Sequence, residues 1–312
     1  MINTLRRLAL MAGLSLAATL AALTAAPAHA QPTKVNIGFI PAGDWLPALV
    51  AKDKGFFEKR NLDVTLTKVA IISDIPAGIL SGSLTMGAST ATVLIDASEA
   101  GLSLASVAGG TRFVKDPSIF SIVVRTGLKV ESAKDLVGKR VGVPGMRSVA
   151  DVLLRKWLLD KGVQPSSVNL VEASFPQMKD LLKGGTLDAV AVLEPFRNRI
   201  VADQTGYRLA DYVAEVNPDV LGGVWIAQRE WIAANPKAVQ AFREAMAEAI
   251  EFIRSGNPEA RTIEVKYLGF QTPFLLPFSL PVSTADFEVF VKMAREVGYL
   301  DKAVDVSKLV TR

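Results

Sequence analysis

The sequence predicts an α/β fold of mainly parallel sheets covered by helices on both faces. Two observations carry this. Short runs rich in branched or aromatic residues alternate with segments whose apolar residues recur at every third or fourth position, and the junctions fall on glycine, proline, serine or aspartate. No internal repeat or low-complexity linker interrupts the alternation, so the units read as parts of one architecture rather than an array.

Taken in order, residues 35–40 read as a buried strand and Pro41–Asp44 as a turn. A helix over 45–59 turns Leu46, Leu49 and Val50 inward, and a strand follows over 63–69. The same unit recurs as helix 75–80 with strand 84–88, then helix 91–100 with strand 104–108. Strand 120–125 leaves this group. The S-x-x-D motif of Ser132 and Asp135 predicts a short capped helix, and a strand over 141–144 feeds a helix opened by Ser148 and Asp151. Strand 168–172, a helix capped at Ser174 and Gln177, and strand 187–193 follow. After a strand at 224–227 come two long helices. Asn235–Pro236 opens the first, with Val239, Phe242, Met246, Ala249 and Ile253 on one face and Gly256 as its stop; Ser283–Asp286 opens the second.

Composition narrows the function. Arg6 and Arg7, the apolar run 8–23 and Ala28-His29-Ala30 predict a cleavable secretory signal over residues 1–30, with no cysteine after the cleavage site to carry a lipid. The formal net charge of +4 is slight and includes both of those arginines, so nothing points to nucleic acid or a membrane surface. The sequence has no cysteine, and its single histidine, His29, falls inside the predicted signal. A mature chain without either residue has no thiolate nucleophile, no imidazole base and no soft metal ligand, which excludes a Ser-His-Asp hydrolase and leaves no expected catalytic residue, metal or cofactor. The expectation is an exported binding protein, not an enzyme.

Several segments together resemble a known family. Leu46–Phe57 with Asn61–Val64, then Asp135–Pro144, Gly184–Ala189 with Glu194-Pro195, and Arg229–Pro236 resemble the nitrate/sulfonate/taurine substrate-binding proteins of ABC importers, over roughly residues 34–255. The resemblance implies a two-lobed type 2 periplasmic-binding fold with two hinge crossovers: lobe one from residues 31–125 plus 222–312, lobe two from 126–221. It further implies capture of a small organic acid, sulfonate-like, taurine-like or carboxylate, in an interlobe cleft by hinge closure, and delivery to a permease and ATPase complex in the inner membrane. Nitrate and a thiamine-precursor pyrimidine are alternative ligands. A periplasmic monomer is the expected state.

Ligands of open α/β sheets collect at the carboxyl ends of strands, and that rule nominates the site. Asp44 and Trp45 follow the first strand, Ser89 and Thr90 a second, Thr111 and Arg112 a third, and Met146, Arg147 and Ser148 a fourth. Ser89, Thr90 and Ser148 either present hydroxyls to an oxyanion or cap helices. Arg112 and Arg147 either clamp a carboxylate or sulfonate or remain solvated. Trp45 and Trp225 either wall the ligand or belong to the core. Glu194 stands where the resemblance has an acidic residue before proline: it either faces a ligand amine or pairs with an arginine at the hinge. A Glu194 lining the pocket would disfavour a bare anion. An exported sensory module and, on the same fold, an enzyme of desulfinase or menaquinone-pathway lyase type are the competing readings.

Overall fold

The structure, a computed structural model, describes residues 31–311, and the predicted signal with His29 lies outside them. The first sheet begins with β1 (Thr33–Phe39), α1 (Leu46–Asp53), β2 (Leu62–Lys68), α2 (Ile75–Leu80), β3 (Met86–Ser89), α3 (Ala91–Glu99) and β4 (Leu104–Gly109). The chain leaves through β5 (Arg112–Val114). It then builds a second sheet from β6 (Phe120–Arg125), β7 (Arg140–Val143), α4 (Val149–Asp160), β8 (Asn169–Glu172), α5 (Phe175–Lys183), β9 (Ala189–Leu193), α6 (Phe196–Ala202), β10 (Gly206–Ala210) and α7 (Tyr212–Val216). β11 (Asp219–Leu221) leads back to β12 (Val224–Gln228), and α8 (Arg229–Ala234), α9 (Pro236–Arg254), α10 (Glu259–Leu268) and α11 (Thr284–Glu296) complete the chain.

Strand order is β2-β1-β3-β12-β4 in the first sheet and β10-β6-β9-β7-β8 in the second. Within each, a single strand runs against the rest: β12 pairs antiparallel with β3 and β4, and β6 pairs antiparallel with β9 and β10. These are the strands that follow the crossovers, which is why they enter their sheets reversed. The two crossovers are themselves joined, because β5 and β11 form an antiparallel ladder with Val220 opposite Phe113. β6 thus belongs with the second sheet, although the expected boundary at residue 125 would group it with the first.

The helical faces bury as their spacing predicts. Val239, Phe242, Met246, Ala249 and Ile253 of α9 are all buried, and the Phe242 ring stacks on Phe57 at 5.9 Å and meets Trp225 edge-on at 5.6 Å. Each of these side chains other than Ala249 contributes about 1.5–3 kcal/mol by leaving water. The Ser283–Asp286 box forms in both directions: Ser283 N–H donates to Asp286 Oδ2 at 2.9 Å and Asp286 N–H to Ser283 Oγ at 3.4 Å.

Three local expectations differ from the structure. The helix predicted over 45–59 stops at Asp53, because Gly55 takes a left-handed φ of 70° and the chain continues as a short 3-10 turn, Glu58–Arg60. Ser174 does not cap the backbone of α5; its hydroxyl donates to the Gln177 side chain at 2.7 Å. Asn235 does not cap α9 either, since its Nδ2 turns back to donate to Trp231 O, in α8, at 2.9 Å.

Candidate functional site

The carboxyl ends of strands from both sheets converge on one cavity of about 30 Å³. Ile40 after β1, Ile72 after β2 and Thr90 after β3 line it from the first sheet. Pro144 after β7, Leu193 at the end of β9 and Ser148 at the start of α4 line it from the second. Phe113 of β5 and Gly222 just past β11 close the crossover side. The remaining wall is Asp44, Trp45, Phe120, Val149, Ala150 and Phe175. A space of this size holds only about two water-sized groups, so a larger occupant requires the walls to part.

Asp44 is the one charged residue of that lining. It sits in the 3-10 turn Gly43–Trp45, drawn tightly against residue 272: a Cβ on Gly43 would lie 2.6 Å from Thr272 Cγ2. Thr272 is anchored in turn by the buried Glu264, which accepts from its N–H at 3.0 Å and its hydroxyl at 2.6 Å while pairing with Arg261 at 2.7 Å. Asp44 itself is 5% exposed. Its Oδ1 accepts from the Thr111 hydroxyl at 3.0 Å, and its Oδ2 is buried with no partner among the described residues. Burial pushes the Asp44 carboxyl up to about 6, opposed by the Thr111 bond and its own backbone N–H.

Trp45 packs edge-on against Trp225 with centroids 5.1 Å apart, and the indole N–H of each is buried without a partner among the described residues. Gly223 permits the approach, since a Cβ there would lie 2.8 Å from the Trp45 ring. Thr90 caps α3 by accepting from Val93 N–H at 3.4 Å, and Ser148 caps α4 by accepting from Asp151 N–H at 3.4 Å. The positive end of α4 already holds a carboxylate of the chain itself. Asp151 is fully buried there and accepts from Arg147 N–H at 2.7 Å, Arg155 Nε at 2.8 Å and Tyr299 Oη at 2.6 Å.

The structure thus brings Asp44, Trp45, Thr90 and Ser148 to the cavity and places the other candidates elsewhere. Thr111 stands behind Asp44 as its hydrogen-bond donor. Ser89 and Trp225 are buried in the strands beneath, with Ser89 Oγ unpartnered among the described residues. Arg112 is paired with Asp219 at 2.7 Å and Asp286 at 2.8 Å. Arg147 adopts a φ of 60°, pairs with Asp96 and donates to Tyr299 O at 2.8 Å. Met146 N–H donates to Glu172 at 2.6 Å. Glu194 is buried in an ion pair with Arg197 and accepts from Asn198 N–H at 3.2 Å. Sequence reasoning passed over the apolar wall. Leu193 and Pro144 were findable as strand ends, whereas Phe113, Phe120 and Phe175 carry no local signal beyond hydrophobicity.

Among the described residues no helix is long and apolar enough to cross a membrane, and no group of acidic, histidine or cysteine side chains is arranged to hold a metal. Comparison with known proteins fits this architecture. The chain is 26% identical to the nitrate import ATP-binding protein NrtC of Synechocystis over 274 residues, covering 79% of this chain and 39% of that protein. The chain therefore matches only a part of that longer relative. A Brucella abortus protein named as a binding protein is 28% identical over 286 residues, covering 88% of this chain and 85% of its own length. Among solved structures, the alkanesulfonate-binding protein SsuA of Xanthomonas axonopodis superposes with a TM-score of 0.77 at 20% identity, covering 91% of this chain and 99% of that one. The periplasmic nitrate-binding protein NrtA of Synechocystis gives 0.75 at 17% identity, covering 88% and 84%. Both share the fold of two sheets. The profile of the NMT1-like family matches residues 28–269, and the chain belongs to that family.

Proposed function

We propose that this chain is the periplasmic solute-binding component of an ABC importer, a binder without catalytic activity that captures one small molecule per chain. The observation that carries this reading is the cavity itself: a space at the strand ends of both sheets, walled mostly by apolar side chains, with two lining residues, Asp44 and Trp45, that each hold a buried polar atom without a partner among the described residues. Those atoms cost folding free energy, and a ligand that satisfies them recovers it.

Lobe one comprises the first sheet with α8–α11, lobe two the second sheet, and the β5–β11 ladder is the hinge between them. Closing brings Asp44 and Trp45 of lobe one against Ser148 of lobe two around the ligand, and the permease reads the closed form. Similarity to a binding protein and to an importer's ATP-binding protein supports this partner set, and the predicted signal supports export. The solutes in the relatives' names are nitrate and alkanesulfonate.

Mass spectrometry on protein purified natively from its host periplasm and then denatured tests the proposal. Release of one small solute per chain is expected. Protein that releases nothing and converts a candidate solute into product contradicts it.

A further inference from the structure

We propose that the solute this cavity takes is a compact, mostly apolar amine, held by a charge-assisted hydrogen bond from its nitrogen to Asp44 Oδ2, rather than an anion. The inference rests on the solute-binding reading and assigns the ligand's chemistry. Asp44 is nearly fully buried, lines the cavity, and has one oxygen held by Thr111 while the other faces no donor among the described residues. A buried carboxylate oxygen without a donor is costly, and a cationic N–H donor is the complement that offsets most.

The surroundings point the same way. The described lining contains no arginine, lysine or histidine to neutralise an anion. The charged groups on the elements packed around Asp44 are engaged with one another: Glu264 with Arg261, Arg112 with Asp219 and Asp286, Asp151 with Arg155, and Glu194 with Arg197. Of the two helix N-termini that reach the cavity, at Thr90 and Ser148, that of α4 is occupied by Asp151. An ionised Asp44 would repel a sulfonate or nitrate in this low-dielectric space, while Phe113, Phe120, Phe175 and Trp45 offer aromatic surface to an apolar body and to a cation.

The test uses the full mature chain, unfolded and refolded to strip any bound solute, titrated calorimetrically with matched probes: benzylamine and n-butylamine against benzenesulfonate, butyrate and nitrate. An amine is expected to bind at one per chain and the anions not at all. Only the ionised carboxylate accepts from the ammonium, so with a carboxyl near 6 the affinity falls by about tenfold between pH 7.5 and pH 5, where both amines stay protonated. Asp44→Asn is expected to weaken amine binding by roughly tenfold or more while the chain remains folded. Binding of an anion that tightens as pH falls overturns the amine assignment and leaves the solute-binding reading standing. Failure of both amines overturns it too. Failure of every probe, together with no solute released from natively purified protein, overturns both.

Discussion

The Thr111 hydroxyl donates to Oδ1 of the cavity-lining Asp44 at 3.0 Å, while Oδ2 is buried with no donor among the described residues. One oxygen of the carboxylate is thereby fixed by the scaffold. The hydrogen bond comes from the residue just before β5, so the group that positions Asp44 lies in the crossover between the two sheets.

Burial makes Asp44 a stability liability. Its carboxyl rises from an ordinary 3.8 to about 6 on folding, so the folded chain holds its proton more tightly than the unfolded one. The stabilisation from that proton is fully present below pH 3.8 and lost as pH rises through about 6, a difference of about 3 kcal/mol. Asp44→Asn removes the penalty. Urea denaturation is expected to show the variant more stable than the parent by about 2–3 kcal/mol at pH 7.5, with the gain gone at pH 4.

Arg197 covers a carboxylate that has almost no access to water. The Glu194 side chain is 1% exposed, and Arg197 pairs with it while donating to Ser121 Oγ at 2.9 Å. Arg197→Met strands that charge and is expected to cost about 3–5 kcal/mol at pH 7.5. Adding Glu194→Gln to the same chain recovers part of the loss, and a double-mutant cycle by denaturation measures how much.

Tyr299 ties the start of α4 to the segment after α11. Its hydroxyl donates to the buried Asp151 at 2.6 Å, its carbonyl accepts from Arg147, and the Arg147 and Arg155 guanidinium groups lie over its ring at 4.7 and 4.5 Å. Tyr299→Phe keeps the ring and removes one donor to a buried carboxylate, an expected loss of about 1–3 kcal/mol in denaturation. Because α3, through Asp96, holds the same Arg147 from the first sheet, Arg147→Ala is expected to speed solute dissociation while the chain still folds. Stopped-flow dissociation measures this.

Gly222 sets the width of the cavity on the crossover side. A Cβ there would meet three atoms of the Phe113 ring at 2.4–2.6 Å, and Phe113 is itself part of the wall. Gly222→Ala is expected to destabilise by about 1–3 kcal/mol and to weaken solute binding, read by thermal unfolding and by titration of the same sample.

Much of this architecture is legible in the chain because it is written locally. The α9 face, the Ser283–Asp286 box and the caps at Thr90 and Ser148 depend on residues within one or two turns of each other. Asp44 and Trp45 are found by the same short-range logic, as the residues just after a strand. What is hidden is whatever depends on distant partners. Arg112 meets Asp219 across 107 positions of sequence and Arg147 meets Asp96 across 51, so neither arginine's engagement is visible from its own neighbourhood. Asp151 reads as a capping partner, yet its carboxylate turns to Arg147 N–H, Arg155 and Tyr299, and so fills the anion-binding position that the Ser148 turn advertises. The apolar wall is hidden for the same reason, since Phe113 and Gly222 meet only through the β5–β11 pairing.

Trp45 walls the cavity, whereas Trp157 lies on α4 with its indole N–H donating to Glu215 at 2.9 Å. Tryptophan emission of the stripped chain, titrated with the solute released from native protein, therefore tests most directly whether the cavity is the binding site. The account predicts a saturable change at one equivalent, cut by more than half in Trp45→Phe and retained in Trp157→Phe. A signal that survives Trp45→Phe and disappears in Trp157→Phe, or no signal at all, contradicts it.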